Sequence, residues 1–285
     1  MPQQPKILVV GDAMVDLYHF GTTTRISPEA PIPIVKVTGQ EQFHGGAGNV
    51  ADNLRTLGAE VVLCQGLAPH PDDPQYGVIP IKHRLMVGTT QMARWDEYDE
   101  VRSIPIKALE AVVNGWTPDA IVVSDYGKGS IDQTIRTWIN KAGLPTFVDT
   151  KGSPSYYLDD FTFFPNLHEW GIHEKSYNEL GNVILKRSAD GIMRLQYNTM
   201  LEWYPAYATN VVSVCGAGDT VIAAYAYFTT LGDPAALFKA SIAAAIVVEK
   251  PWTATASVAE IEERIKCLDT KRALKNEPKL VSSGG

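Results

Sequence analysis

The 285-residue chain reads as an α/β protein with a mostly parallel sheet. Three observations say so. Short apolar strands alternate with helices, Gly and Asp clusters close several of those strands, and one proline-bearing strand pair stands outside the alternation. Strands separated by helices favour a parallel sheet covered on both faces. Ligands in such folds collect at the carboxyl ends of the strands.

The elements follow in order. Lys6 to Val10 is an apolar run closed by Gly11-Asp12, a buried strand meeting a turn. Leu17 to Thr23 and Ile32 to Thr38 predict two exposed strands, and Pro31 and Pro33 confine the second to a sheet edge. We expect this pair as a small β flap, or lid, within residues 12–38. Gly45-Gly46-Ala47-Gly48-Asn49 opens a helix to about Leu57, with Val50, Leu54 and Leu57 on one face and Gly58 as its stop. Glu60 to Cys64, Ala120 to Ser124, Thr146 to Asp149, Phe161 to Phe164 and Asn182 to Lys186 predict strands. Leu109 to Trp116, Asp132 to Ala142, Ala217 to Leu231, Ala235 to Val248 and Ala256 to Leu268 predict helices, the last with Ser257 as N-cap. Residues 1–270 are expected to form one domain, and the polar stretch 271–285, ending in SSGG, a disordered tail.

Composition narrows the function. A hydrophobic content of 45% with 20% charged residues is that of a globular protein. A net charge of −7 argues against a nucleic-acid partner. Cys64, Cys215 and Cys267 are too few and too scattered for a disulfide framework or a zinc site, and fit a reducing compartment. There is no signal-peptide h-region and no apolar run of membrane-spanning length. The expected location is the cytoplasm, with no membrane partner.

Five motifs carry chemistry. In Val214-Cys215-Gly216-Ala217-Gly218-Asp219-Thr220, two glycines turn the backbone at a helix start, so amides and helix dipole make an anion hole. Asp219 stands where it can take a proton from an attacking hydroxyl, or merely cap the helix. Gly45 and Gly46 let a ligand approach the backbone, and Asn49 offers a donor and an acceptor; a plain turn before a helix has the same pattern. Asp12 and Asp16, in Gly11-Asp-Ala-Met-Val-Asp16, can bind hydroxyls or cap a turn. Lys128, in Ser124-Asp-Tyr-Gly-Lys-Gly129, can hold a phosphate, although the loop is not a Walker A motif. Asn166 and Glu169 can organise Mg²⁺ through water, or form a capping box.

The order of these motifs resembles the ribokinase (PfkB) carbohydrate-kinase family. GGAGN stands in the first third, Asn166-x-x-Glu169 and Lys186-Arg-Ser-Ala-Asp-Gly191 further on, and GAGD in the last third. Gly11 to Asp16, Arg25-Ile-Ser-Pro-Glu-Ala-Pro31, Ser124 to Gly129 and Gly216 to Ile222 look like the heptose-7-phosphate kinase branch. The resemblance implies a ribokinase-like three-layer sandwich and an ATP-dependent sugar kinase. It implies Asp219 as base, with Gly216, Ala217 and Gly218 as anion hole. Asp12, Asp16, Arg25, Gly45, Gly46, Asn49 and Lys128 would bind the sugar or its phosphate. Asn166, Lys186, Ser188, Gly191, Gly216 and Gly218 would border ATP, and Asn166 with Glu169 would govern Mg²⁺. A monovalent cation such as K⁺, a homodimer through the flap, and a kinase without a fused adenylyltransferase are also implied.

The sequence departs from the pattern at several points. Gly66 to Lys82 is compressed, Trp170 to Gly181 is short enough to lack a helix, Lys250-Pro251-Trp252-Thr253 lacks the usual Gly, and Thr150 replaces Pro. These departures leave open a kinase for ribose, fructose or a nucleoside, and a regulator that binds sugar or nucleotide without catalysis. Arg25, Lys128 and Lys151 are the candidate cations for a phosphorylated acceptor.

Overall fold

Residues Ile7 to Val10 are wholly buried, so both faces of their strand are covered. Only a central strand between two helical layers satisfies that burial. The computed structural model describes residues 4–70, 72 and 75–274. Along the chain run β1 (Lys6–Gly11), β2 (Ala13–Ile26), β3 (Pro33–Gly46), α1 (Ala47–Leu57), β4 (Glu60–Gln65), β5 (Ala68–Pro69), β6 (Gly77–Val78), β7 (Ile81–Val87) and β8 (Thr90–Glu97). Then come α2 (Ile106–Gly115), β9 (Ala120–Asp125), α3 (Gln133–Lys141), β10 (Thr146–Thr150), β11 (Thr162–Phe163), α4 (Leu167–Ile172), α5 (Glu174–Asn178) and β12 (Asn182–Lys186). The described chain closes with β13 (Ile192–Gln196), β14 (Thr199–Tyr204), α6 (Ala217–Thr230), α7 (Ala236–Val248) and α8 (Val258–Leu274).

The main sheet has the order β14-β13-β12-β11-β10-β9-β1-β4. It is parallel from β4 to β12. The β13–β14 hairpin adds an antiparallel edge. Strand periodicity divides the core. Ile7, Val9, Val122 and Phe147 pack with Val50, Leu54, Ile222 and Ala243 of α1, α6 and α7. Leu8, Val10, Val123 and Val148 pack with Leu109, Ile135, Ile139 and Tyr177 on the opposite face. This is the expected three-layer sandwich. Ala223, Ala224 and Ala226 keep α6 slim, and all three are fully buried in the layer it shares with α1 and α7.

The flap is larger than the sequence suggests. It is a four-stranded sheet of order β3-β2-β7-β8, with β3 on the edge as its prolines require. Its strands run through residues 13–46 and 81–97, beyond the expected 12–38. The reason lies in the compressed segment: after the short β5 and β6, the chain returns at once to pair β7 parallel with β2. Gly45 and Gly46 end β3, so the helix begins at Ala47. The short stretch after Trp170 keeps a helix, the five-residue α5. Ser257 caps α8, its hydroxyl accepting from the Glu260 amide at 3.3 Å while Glu260 accepts from the Ser257 amide at 2.8 Å. The tail expected at 271–285 lies outside the described residues except for the last turn of α8.

Ile222 is fully buried where α6 meets the sheet. Ile222→Ala is expected to destabilise the fold by ~2–5 kcal/mol. Urea unfolding checks this: the midpoint should fall with the m-value unchanged.

Candidate active site

The site is built where α1, α6 and the ends of the central strands converge. Gly216 precedes α6 at a φ of 74°, and a Cβ there would lie 2.5 Å from Asn49 Nδ2. Both facts demand glycine. The amides of Gly218 and Asp219 fall in the first helical turn, where no intrahelical acceptor exists, so they are left to face an anion.

Asp219 is only 7% exposed. Its Oδ2 accepts from Asn49 Nδ2 at 2.9 Å and its Oδ1 from the Tyr126 hydroxyl at 3.0 Å. Burial pushes its pKa up to about 6; the Asn49 and Tyr126 hydrogen bonds and Lys186 oppose the rise, and Asp149 adds to it. A carboxylate poised near neutrality suits a general base. Asn49 is itself fixed: Asn53 Nδ2 donates to its carbonyl at 2.9 Å and to its Oδ1 at 3.0 Å. Thr220 then donates to Asn53 Oδ1 at 3.0 Å, which closes a polar chain between α1 and α6.

The flap meets this loop edge-on. Tyr18 donates to Cys215 Sγ at 3.6 Å, and Tyr18 and Phe20 pack on Trp252 with ring centroids 5.0 and 4.9 Å apart. Asp16 is buried and ion-paired with Arg84 at 2.8 Å. A Cβ at Gly45 would lie 2.6 Å from Asp16 Oδ2, and one at Gly46 2.4 Å from the Asp12 carbonyl.

The phosphate end is a chain of charges. Asp149 takes Lys186 Nζ at 2.5 Å and Lys151 Nζ at 3.1 Å. Burial alone would raise the Asp149 pKa, but the two ammonium groups outweigh it and hold the carboxylate below its usual range. Lys151 also reaches Glu169 at 2.5 Å, and the two carboxylates push its pKa up against the effect of burial. Lys186 lies under the anion loop, 3.4 Å from where a Gly218 Cβ would stand. A cavity of about 620 Å³ opens here, with Asn166, Lys186, Ser188 and Gly191 at its polar side. Val211, Val214, Ala244 and Val248 line its apolar side. Gly191 has a φ of 85°, and a Cβ there would meet the Tyr204 carbonyl at 2.0 Å.

The structure therefore brings together Asp16, Gly45, Gly46, Asn49, Lys186, Ser188, Gly191 and the Gly216–Asp219 loop. Two expectations need correction. Asp12 is not a ligand group: its carboxylate is consumed by the amides of Tyr126, Lys128 and Ser130 at 2.8, 3.1 and 3.0 Å, and so it anchors that loop. Arg25 stays exposed near the outer end of β2, opposite Ile34, and does not line the cavity. Asn166 and Glu169 form the capping box that the sequence left open, at 2.8 and 2.9 Å; Lys151 takes Glu169 Oε1, which leaves the Asn166 side-chain amide for other partners. Lys128 pairs with Asp99 beside the flap. Sequence reasoning missed Tyr126, Arg84 and Asp149. Tyr126 lay inside a motif already singled out, whereas Arg84 sits on a strand that carried no signal.

Comparison with known proteins agrees with this fold. The model of the pfkB family of carbohydrate kinases matches residues 119–260. The bifunctional protein HldE of Aliivibrio salmonicida is 32% identical over 98% of this chain and 68% of its own length. The proteins of that name from Chromohalobacter salexigens and Hahella chejuensis are 33% and 34% identical, and this chain spans 63% and 64% of their lengths. Among solved structures, ribokinase from Arabidopsis thaliana with ribose and ATP superposes with a TM-score of 0.70 at 18% identity, over 93% of this chain and 99% of its own. Phosphofructokinase-2 from Escherichia coli with potassium gives 0.69 at 14% identity, over 94% and 100%. The chain belongs to the pfkB family of carbohydrate kinases and has the ribokinase fold.

The Asp219 pKa is raised in the folded protein from the ordinary carboxylate range to about 6. The folded state thus binds the proton more tightly, and this group's contribution to stability declines as pH rises through that window. Asp219→Asn is expected to melt higher than the parent at pH 7.5, by no more than ~3 kcal/mol of stability, with the gap closing near pH 4. Paired thermal melts at the two pH values check the sign.

Proposed function

We propose that this chain is an ATP-dependent sugar kinase, and that its acceptor is a heptose 7-phosphate phosphorylated on the anomeric hydroxyl. The carrying observation is the placement of Asp219: a desolvated carboxylate with a pKa near 6, in the first turn of an anion-binding helix, between a nucleotide-sized cavity and the flap. In this reading the adenine occupies the apolar side of the cavity and the phosphates approach Lys186 and the Gly216–Gly218 amides. The sugar lies under the flap against Asp16, Gly45, Gly46 and Asn49. Asp219 removes the hydroxyl proton as the oxygen attacks the γ-phosphorus, and the bond from that phosphorus to the β–γ bridging oxygen breaks to release ADP. Lys186 and the loop amides hold the charge on the transferring group. The heptose assignment draws on the resemblance of Gly11 to Asp16, Arg25 to Pro31, Ser124 to Gly129 and Gly216 to Ile222 to the heptose-7-phosphate kinase branch.

Mg²⁺ would come with the nucleotide. Among the described residues no three His, Cys, Asp or Glu side chains form a metal cage. Glu169, next to Asn166 and the phosphate end, fits a water-mediated contact to an ion held mainly by phosphates. The ion would offset charge on the β- and γ-phosphates. For K⁺, Thr253 Oγ1 is a buried oxygen with no hydrogen-bond partner, and its methyl would touch a Cβ at Gly216 at 3.0 Å. A homodimer through the flap is supported by Ile26, Ile32, Val37 and Trp95, whose side chains stand exposed on it. No helix is long and apolar enough to cross a membrane among the described residues. We place the enzyme in the cytoplasm and assign it no nucleic-acid partner.

Incubation with ATP and a sugar-phosphate panel, read by mass spectrometry, should yield a heptose bisphosphate. A product from ribose, fructose or a nucleoside alone would redirect the substrate assignment. Asp219→Asn should lower kcat by ~10²–10⁴-fold. The parent enzyme's kcat/KM should fall tenfold per pH unit below about 6, since the ionised carboxylate is the active form. A flat profile from pH 5 to 8 would remove Asp219 from the role of base.

A further inference from the structure

One wall of the large cavity is a loop, residues 205–216, that joins β14 to α6 without regular secondary structure. Its Val211 and Val214 line the cavity together with Ala244 and Val248 of α7. The distance between loop and helix therefore sets the room for a flat group between them. Val211 and Val214 are 60% and 72% exposed, so packing does not fix the loop. Hydrogen bonds must do so.

Those bonds gather at the C-terminal end of α7. The amides of Val212 and Ser213 donate to the Val248 carbonyl at 2.8 and 3.1 Å. That carbonyl is one the helix itself leaves open. The Thr209 amide and hydroxyl donate to Glu249 Oε1 at 2.7 and 3.1 Å. Glu249 is the C-cap of α7, where the helix dipole disfavours a carboxylate. Arg264 of α8 offsets this by taking both carboxylate oxygens, at 3.3 and 2.5 Å. The neighbouring cation, Lys250, is engaged by Glu260 at 2.6 Å, so Glu249 depends on Arg264. Arg264 first, and then Thr209, hold the Glu249 carboxyl down at about 2 against the effect of burial. A surface ion pair contributes little on its own, but a bidentate one fixes geometry. Here the geometry it fixes is that of Thr209, two residues from Val211.

We propose that Glu249 and Arg264 are positioning residues for the nucleotide: they clamp the 205–216 loop to α7 and so set the width of the slot that takes the base. The inference rests on the sugar-kinase reading above, with adenine on the apolar side of the cavity. It brings α8 into nucleotide binding, although neither Glu249 nor Arg264 lines the cavity. Their effect passes through Thr209 to Val211 and Val214.

Calorimetric titration with two probes tests the clamp. A non-hydrolysable ATP analogue engages base slot and phosphate end together, whereas inorganic tripolyphosphate engages the phosphate end alone. Glu249→Ala should weaken the analogue by ~10-fold or more, the size of one charge-assisted hydrogen bond. Tripolyphosphate should bind as it does to the parent. Arg264→Met should shift both probes in the same way. Glu249→Gln should fall between the parent and Glu249→Ala, because its side-chain oxygen still accepts from Thr209, and it serves where Glu249→Ala does not fold. In turnover, the KM for ATP should rise while kcat and the KM for the acceptor hold. The clamp is overturned if Glu249→Ala and Arg264→Met bind the analogue as tightly as the parent. It is equally overturned if the variants lose tripolyphosphate in the same measure, the mark of a general loosening. A parent protein that binds neither probe would remove the kinase reading, and the clamp with it.

Discussion

The hydrogen bond from Asn49 to Asp219 is the contact on which the site depends. It joins the first turns of α1 and α6, two helices otherwise held together by apolar packing on the same face of the sheet. Such packing does not fix the two helices along their axes to within a few tenths of an ångström. The polar chain through Asn53 and Thr220 does, because each donor in it has a specific acceptor. Burial raises the Asp219 pKa against the pull of the Asn49 hydrogen bond. Positioning and activation of the base thus have separate causes that meet at one carboxylate.

Much of this was legible in the sequence, and the reasons are physical. Lys6 to Val10, a short apolar run closed by Gly11, read as a buried strand, and Gly216 and Gly218 beside an apolar helix read as a sharp entry to it. Asn49 and Asp219 were found because their motifs pair glycine with a single polar group at a helix start. What remained hidden was tertiary. Nothing local marks Arg84 as the partner of Asp16, since 68 residues separate them and the pairing exists only once β7 lies parallel to β2. Asp12 reads like a ligand in the sequence. Only the fold reveals that three amides of a loop more than 110 residues away consume its oxygens.

Tyr126 ties the two halves of the pocket together. Its hydroxyl holds Asp219, and both Lys82 and Lys151 lie within 5.5 Å of its ring centroid. Lys82 belongs to the flap and Lys151 to the phosphate end. The favourable quadrupole contact with each cation makes one aromatic side chain the partition between them. The loop that carries it is clamped from below by Asp12, so the partition is rigid.

The close approach of Gly45 to Asp16 has a consequence for how such a protein can change. A side chain at 45 would overlap the carboxylate, one at 46 the Asp12 backbone, and one at 216 the Asn49 amide. Positions 46 and 216 are closed to variation by their positive φ, and 45 by the Asp16 and Met14 side chains it abuts, whatever the acceptor. The inward-facing positions of β7 and β8 carry no such restriction, because Lys82, Arg84, Arg94 and Asp96 extend from the part of the ladder that keeps its register, before the shift at Leu85/Met86. Divergence toward new acceptors, natural or by directed evolution, therefore has its freedom in that hairpin, while the glycines keep the reacting end constant.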